Sequence, residues 1–175
     1  MNPSKKNEKK LSHVDSAGRA RMVDVSAKAV VLRRAVARGA VSVSEFCARL
    51  IAENNLEKGD VLAGARLAGI IAAKQTPQLV PLCHPLKIDC IEVDCRLEGN
   101  QVKITATVTA RERTGVEMEA LTAVAGAALT VFDMCKAVDP AAVIGPIQVE
   151  SKHKNDQLTF ERSRSNGQGS SRLPE

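Results

Sequence analysis

The residues best suited to move protons or hold anions fall in three places. Asp133 and Lys136 stand three apart in the stretch 114–137, TGVEMEALTAVAGAALTVFDMCKA. On a helix that spacing puts both on one face. Such a pair is either an ordinary helix-end ion pair, worth little on a surface, or a partly desolvated one whose carboxyl serves as acid or base. His84 lies in PLCHP at 81–85, where Pro81 and Pro85 hold the backbone extended on both sides. An imidazole there is a plain surface group, or one placed to transfer protons or hold an anionic ligand. Lys58 precedes Gly59 and a helix start, a place for a solvated lysine or for a phosphate contact. Cys83 beside His84 is the only adjacent pair with metal-ligand potential. The chain has no CxxC, and Cys90 and Cys95 point to opposite faces of a strand, so no metal is expected and most cysteines read as small core residues.

These groups need rigid elements to position them. A helix over 116–136 would carry Glu117, Met118 and Glu119 in its first turn and Asp133 near its last. Residues 120–132 hold no charge, which predicts a rod buried on every side. Ala120, Ala123, Ala125, Gly126, Ala127 and Ala128 keep it thin, and acids at the start with a lysine at the end suit the helix dipole. Glu119 and Asp133 would then lie about 21 Å apart along the axis and roughly 40° apart around it. One small ligand cannot span both tips of one helix. If both tips are functional, either the sites differ or two subunits combine opposite tips across a symmetric interface; the second is the expectation.

A second small-residue helix is expected from Asp60, its N-cap, to about Lys74; Gly64 and Gly69 each cost it about 1 kcal/mol, which close packing would offset. Ser44 is a plausible N-cap for a helix over 45–54. Residues 88–97 and 102–110 alternate apolar with polar and flank Gly99-Asn100, a hairpin with one buried face. Strands are also expected at 21–25, 30–43 and 143–149, with Pro146 at an edge or bulge. The architecture is α+β: a mostly antiparallel sheet with helices packed on one face.

The 175 residues predict one domain, at 21–152, between a flexible basic leader at 1–20 and a polar, disordered tail at 153–175. The net charge of +5 sits mostly in those tails: residues 1–10 hold four lysines against Glu8, and 153–175 carry +1, leaving +1 for 11–152. A near-neutral core argues against a nucleic-acid groove, and three Phe with no Trp or Tyr leave no stacking platform. Five cysteines, an odd number, in a chain too large to need staples, and no apolar leader in 1–20, fit a reducing cytoplasm. No run of about 18 uncharged apolar residues implies a membrane span.

Read together, MVDVSAK (22–28), KGDV and AGIIAAK within 58–74, PLCHPL (81–86), TGVEMEALTA (114–123), DMCKAV (133–138) and IGP (144–146) resemble the cyclic pyranopterin monophosphate synthases of molybdenum cofactor biosynthesis, the accessory protein C family. The likeness runs in unbroken order over about 12–152. It implies a ferredoxin-like fold and a hexamer, a trimer of dimers, with active sites between subunits. It implies a lyase that converts 3′,8-cyclo-7,8-dihydroguanosine 5′-triphosphate into cyclic pyranopterin monophosphate and pyrophosphate, with no cofactor. Carried over by motif, Asp133 is the central acid/base with Lys136 beside it, and Lys58 contacts phosphate or protonates. Leu82, Cys83, His84, Met118 and Glu119 line the substrate site, with Glu117 nearby. Lys152 matches a family lysine that usually precedes Gly-Gly; here His153-Lys154-Asn155 follows. The residues alone also admit a non-catalytic ferredoxin-like module or an RNA binder acting through its basic tails.

Overall fold

Apolar residues at every second position build the sheet. β1, Val31–Ser42, turns Ala35, Ala37 and Val41 inward. β2, Ile88–Glu98, and β3, Gln101–Glu112, form the expected hairpin, with Val93 and Cys95 facing Ala106 and Ile104 across the register. Val102, Ile104, Ala106, Val108 and Ala110 of β3 are all buried. Residues 18–163 are described in this computed structural model. Residues 1–17 of the leader expected at 1–20, and residues 164–175 of the expected tail, lie outside them.

Two caps start the helices that cross over the sheet. The Ser44 hydroxyl accepts the N–H of Cys47 at 3.2 Å and opens α1, Glu45–Ala52; Asp60 accepts the N–H of Ala63 at 2.9 Å and opens α2, Val61–Lys74. A four-residue helix, α3, Thr76–Leu79, leads into the 81–86 loop, and α4, Glu117–Cys135, is the long helix. β4, Val143–Ile144, β5, Gln148–Lys154, and β6, Gln157–Glu161, complete the chain. The strand order is β2-β3-β1-β5-β6, every neighbouring pair antiparallel, with β4 on the end of β1. Taking β1-α2-β2-β3-α4-β5 as the frame gives βαββαβ with sheet order β2-β3-β1-β5. That is the ferredoxin-like arrangement, with β6 added at one edge.

Small residues let the two long helices approach. A Cβ on Gly126 of α4 would lie 2.5 Å from the Ala72 Cβ of α2, and one on Gly69 of α2 would lie 2.9 Å from the Ala123 carbonyl of α4. Gly39 of β1 does the same for the sheet, since a Cβ there would meet the Val124 side chain at 2.8 Å. Packing thus outweighs the helix-propensity cost of these glycines.

Four expectations change. α4 is not buried on every side: Leu129 is 62 % and Met118 38 % exposed, and Leu121, Ala125 and Phe132 are only half-buried along the same face. On length and composition alone α4 could cross a bilayer, but its other face is sealed against α2 and the sheet. The 21–25 segment is not a strand, because the Asp24 carboxylate accepts the Ser26 N–H at 2.8 Å and folds the chain into a turn. The 143–149 strand is broken after Ile144, where Gly145 donates to the Ala40 carbonyl at 2.8 Å. Order does not end at Lys152: Asn155 and Asp156 take left-handed φ of 48° and 62° and turn the chain into β6. Asn155 pins that turn to β1 through its N–H on the Leu32 carbonyl at 3.0 Å and its side chain on the Leu32 N–H at 3.2 Å.

Candidate active site

One tip of α4 gathers Asp133, Lys136 and Lys58. Lys136 is the C-cap residue, so it follows Asp133 by one turn and its Nζ lies 2.7 Å from Oδ1. Lys58 arrives from the α1–α2 connection, and its Nζ donates to Asp133 Oδ2 at 2.6 Å and to the Asp133 carbonyl at 3.0 Å. All three side chains are about half exposed, so of the two readings of the Asp133–Lys136 pair the desolvated one does not hold. The Asp133 carboxyl is nevertheless held down at about 2, first by Lys136 and then by Lys58. Charge contact, not burial, sets its state.

The other tip gathers the remaining residues. Glu119, in the first turn of α4, is 3 % exposed, and its Oε2 has no hydrogen-bond partner among the described residues. Burial pushes its carboxyl up, with a smaller push from Glu117. The 81–86 loop runs past it: Cys83 feels Glu119's charge, and burial first and that charge second push the thiol up. Leu82, Cys83 and His84 are half-buried, and Met118, between Glu117 and Glu119 in the first turn of α4, is exposed. Glu117 takes Lys152 of β5 at 3.3 Å and folds back over Gly115, where any Cβ would collide with its carboxylate.

His84 also lines a groove of about 640 Å³ together with residues 21–26 and Arg113. Here the structure adds residues that motif reading quoted without a role. Asp24 is lowered first by the Ser26 N–H, with smaller pulls from Arg21 and His84. Arg113 donates to the Lys28 carbonyl at 3.2 Å, and Arg33 reaches the Arg113 carbonyl at 3.3 Å, tying this segment to the sheet. The signal available was MVDVSAK itself, whose Asp-x-Ser spacing encodes the turn that brings the segment to His84.

Within one protomer, then, the sequence-predicted residues form two clusters, not one. Lys136 and Lys58 meet on Asp133 at one tip. At the other, Cys83 is near enough to Glu119 to feel its charge and Glu117 pairs with Lys152, while Leu82 and His84 flank Cys83 on its loop and Met118 stands between the two glutamates in sequence. About 21 Å of α4 separates Glu119 from Asp133. No group of three or more His, Cys, Asp or Glu among the described residues is placed to hold a metal ion. A groove of about 700 Å³ on the open sheet face, with Arg38, Arg96 and Lys103 among Asp94 and Glu98, contains none of the predicted residues.

Known proteins share this sequence along nearly its whole described length. A protein of Streptomyces griseus subsp. griseus named cyclic pyranopterin monophosphate synthase is 51% identical over 160 residues, covering 91% of this chain and 90% of its own. One of Nocardioides with the same name is 56% identical over 147 residues, 82% of this chain and 90% of its own. Cyclic pyranopterin monophosphate synthase 3 of Mycobacterium tuberculosis is 56% identical over 143 residues, 81% of each chain. Residues 22–155 match the MoaC family, and both groups of residues at the tips of α4 fall inside that match; the chain belongs to the MoaC family.

Proposed function

We propose that this chain is a cyclic pyranopterin monophosphate synthase, a lyase acting early in molybdenum cofactor biosynthesis. Its substrate is the cyclised nucleotide 3′,8-cyclo-7,8-dihydroguanosine 5′-triphosphate, and its products are cyclic pyranopterin monophosphate and pyrophosphate. The observation that carries the reading is the pair of lysines on Asp133 at the tip of α4, in a chain so similar to proteins bearing that name.

The residues suit the demands of the reaction. Opening and rebuilding the rings moves protons at several atoms, which calls for acids and bases in one place. Asp133 and His84 serve as proton acceptors and donors, Lys58 and Lys136 hold phosphate, and Leu82, Cys83, Met118 and Glu119 bind the nucleotide. Closure of the cyclic phosphate follows attack of a ribose-derived hydroxyl on the innermost phosphorus as pyrophosphate leaves. That step needs charge stabilisation, which lysines supply, and no protein nucleophile.

Such a site requires both tips of α4 within reach of one ligand. The exposed stripe Met118, Leu121, Ala125, Leu129, Phe132 joins the two tips along one face, and α2 beside it exposes Leu67 and Ile71. Docking two copies antiparallel across a two-fold on that stripe sets the Asp133 tip of one against the Glu119 tip of the other, twice per dimer. A hexamer built as a trimer of such dimers is the proposed assembly. A cytoplasmic location is proposed with it, supported by five free cysteines.

The test is direct. Purified protein incubated with the cyclised nucleotide is expected to release pyrophosphate, and Asp133→Asn is expected to fold and assemble normally while losing nearly all turnover. Near-native pyrophosphate release by that variant rules out the assignment of Asp133; no release by the unaltered protein rules out the function.

A further inference from the structure

The tip of α4 presents a chemical difficulty that its own geometry resolves. Both carboxylate oxygens of Asp133 are occupied, Oδ1 by Lys136 at 2.7 Å and Oδ2 by Lys58 at 2.6 Å. Lys58 also holds the Asp133 carbonyl at 3.0 Å, so its ammonium is shared between side chain and helix end. A carboxylate neutralised by two ammonium groups binds a proton poorly, and its level of about 2 expresses that. Such a group makes a feeble general base near neutral pH.

The neighbouring charges do not relieve it. Asp60 is committed to capping α2 through the Ala63 N–H. Asp139, beyond the helix end, is buried and accepts the Ser44 N–H at 2.6 Å. Of the ionisable residues on α2, Arg66 acts on Cys95 and Lys74 stands at the far end of the helix. The charged groups acting on Asp133 are Lys136 and Lys58.

Those two lysines are themselves about half exposed, 55 % and 46 %, and each rides a flexible four-carbon stem. A polyphosphate carries several negative charges within a few ångströms, against one on Asp133. It therefore competes for both ammonium groups on favourable terms.

We propose that Lys58 and Lys136 form an anion-exchange lock on Asp133: phosphate groups of an incoming polyphosphate draw both lysines away, and the carboxylate so released becomes the base. In the empty site the lysines keep Asp133 ionised and inert. In the loaded site they neutralise phosphate, and Asp133 accepts a proton onto a vacated oxygen. The identity of the proton it accepts rests on the proposed reaction. The exchange itself is a property of the protein and an anion, and is measured without turnover.

The experiment uses the full chain, as it assembles, with carboxyl-labelled aspartate and Asp133→Asn to assign the resonance. Inorganic tripolyphosphate is the probe, with saturation established by calorimetry. On saturation the Asp133 titration midpoint is expected to rise by about one pH unit or more, a tenfold gain in proton affinity. Sodium chloride at matched ionic strength is expected to produce a clearly smaller rise. Lys58→Met and Lys136→Met are each expected to raise the midpoint before any anion is added and to weaken tripolyphosphate binding. The lock is overturned if tripolyphosphate fails to bind, if the midpoint moves less than about 0.3 pH unit at saturation, or if salt alone reproduces the full rise. Failure of pyrophosphate release with a positive titration would remove the proposed reaction and leave the lock standing; the reverse pattern would remove the lock alone.

Discussion

Glu119 and Asp133 carry the same chemical group on the same helix in opposite circumstances. Asp133 is half exposed and held ionised by two lysines, whereas Glu119 is 3 % exposed, with one oxygen unpartnered among the described residues. Desolvation raises the proton affinity of Glu119 in the folded protein above that of the unfolded chain. A carboxyl raised on folding leaves the native state intact at low pH and weakens it as pH rises through the folded value. Replacing it with neutral glutamine removes that dependence. Glu119→Gln is therefore expected to match the parent in melting temperature near pH 4 and to become progressively more stable than it towards pH 8, as followed by calorimetry across that range. A gap that stays constant with pH would show that the buried oxygen is not a titrating liability. Asp133 follows the opposite sign: its depressed value makes its ion pairs favourable above the ordinary carboxylate range, and they are lost only as pH falls towards about 2.

At the scale of elements, the contact between α2 and α4 fixes where both tips stand. Gly126 sits against the Ala72 Cβ and the Ala68 carbonyl, with no room for a side chain. Valine there gains helix propensity over glycine but must displace α2, and overpacking of this kind costs about 1–3 kcal/mol. Gly126→Val is expected to lower the urea midpoint accordingly and to reduce turnover without touching either cluster. The sheet edge has a comparable dependence. β6 pairs Phe160 with Lys152, Thr159 donates to the Lys152 carbonyl at 3.0 Å, and Arg162 bonds the Glu150 carbonyl at 2.8 Å. A chain cut after Lys152 is expected to lose about 2 kcal/mol or more of stability, several backbone hydrogen bonds being removed at once.

For the molecule as a whole, the question is what covers the stripe on α4. An apolar face that runs between two polar clusters is a poor surface for a monomer. Leu129, 62 % exposed at its centre, tests the point. Leu129→Glu adds charge where a symmetric interface would place its mate nearby, so sedimentation is expected to show dissociation, and turnover is expected to fall with it. The folded spectrum should be unchanged, because Leu129 faces away from the core. Normal assembly and activity in that variant would place the interface elsewhere.

The chain announces its local structure through signals that need no tertiary partner. Ser44 and Asp60 cap the helices they precede, the 88–110 alternation pairs as a hairpin, and the apolar small-residue run at 120–132 is the long helix. Motif strings likewise single out Asp133 and Lys136 together with Lys58, although Lys58 is far from them along the chain. Periodicity could not foresee β6, since all five of its residues are exposed and none reports a buried face. Nor could it show that α4 keeps one open side: an uncharged run looks the same whether a neighbour in the same chain or a second copy covers it. Folding decided that Asp133 is governed by two lysines, one of them 75 positions away, while Glu119 is governed by burial. Electrostatic state depends on distance in space and on exclusion of water, and a linear sequence encodes neither until the helices have packed.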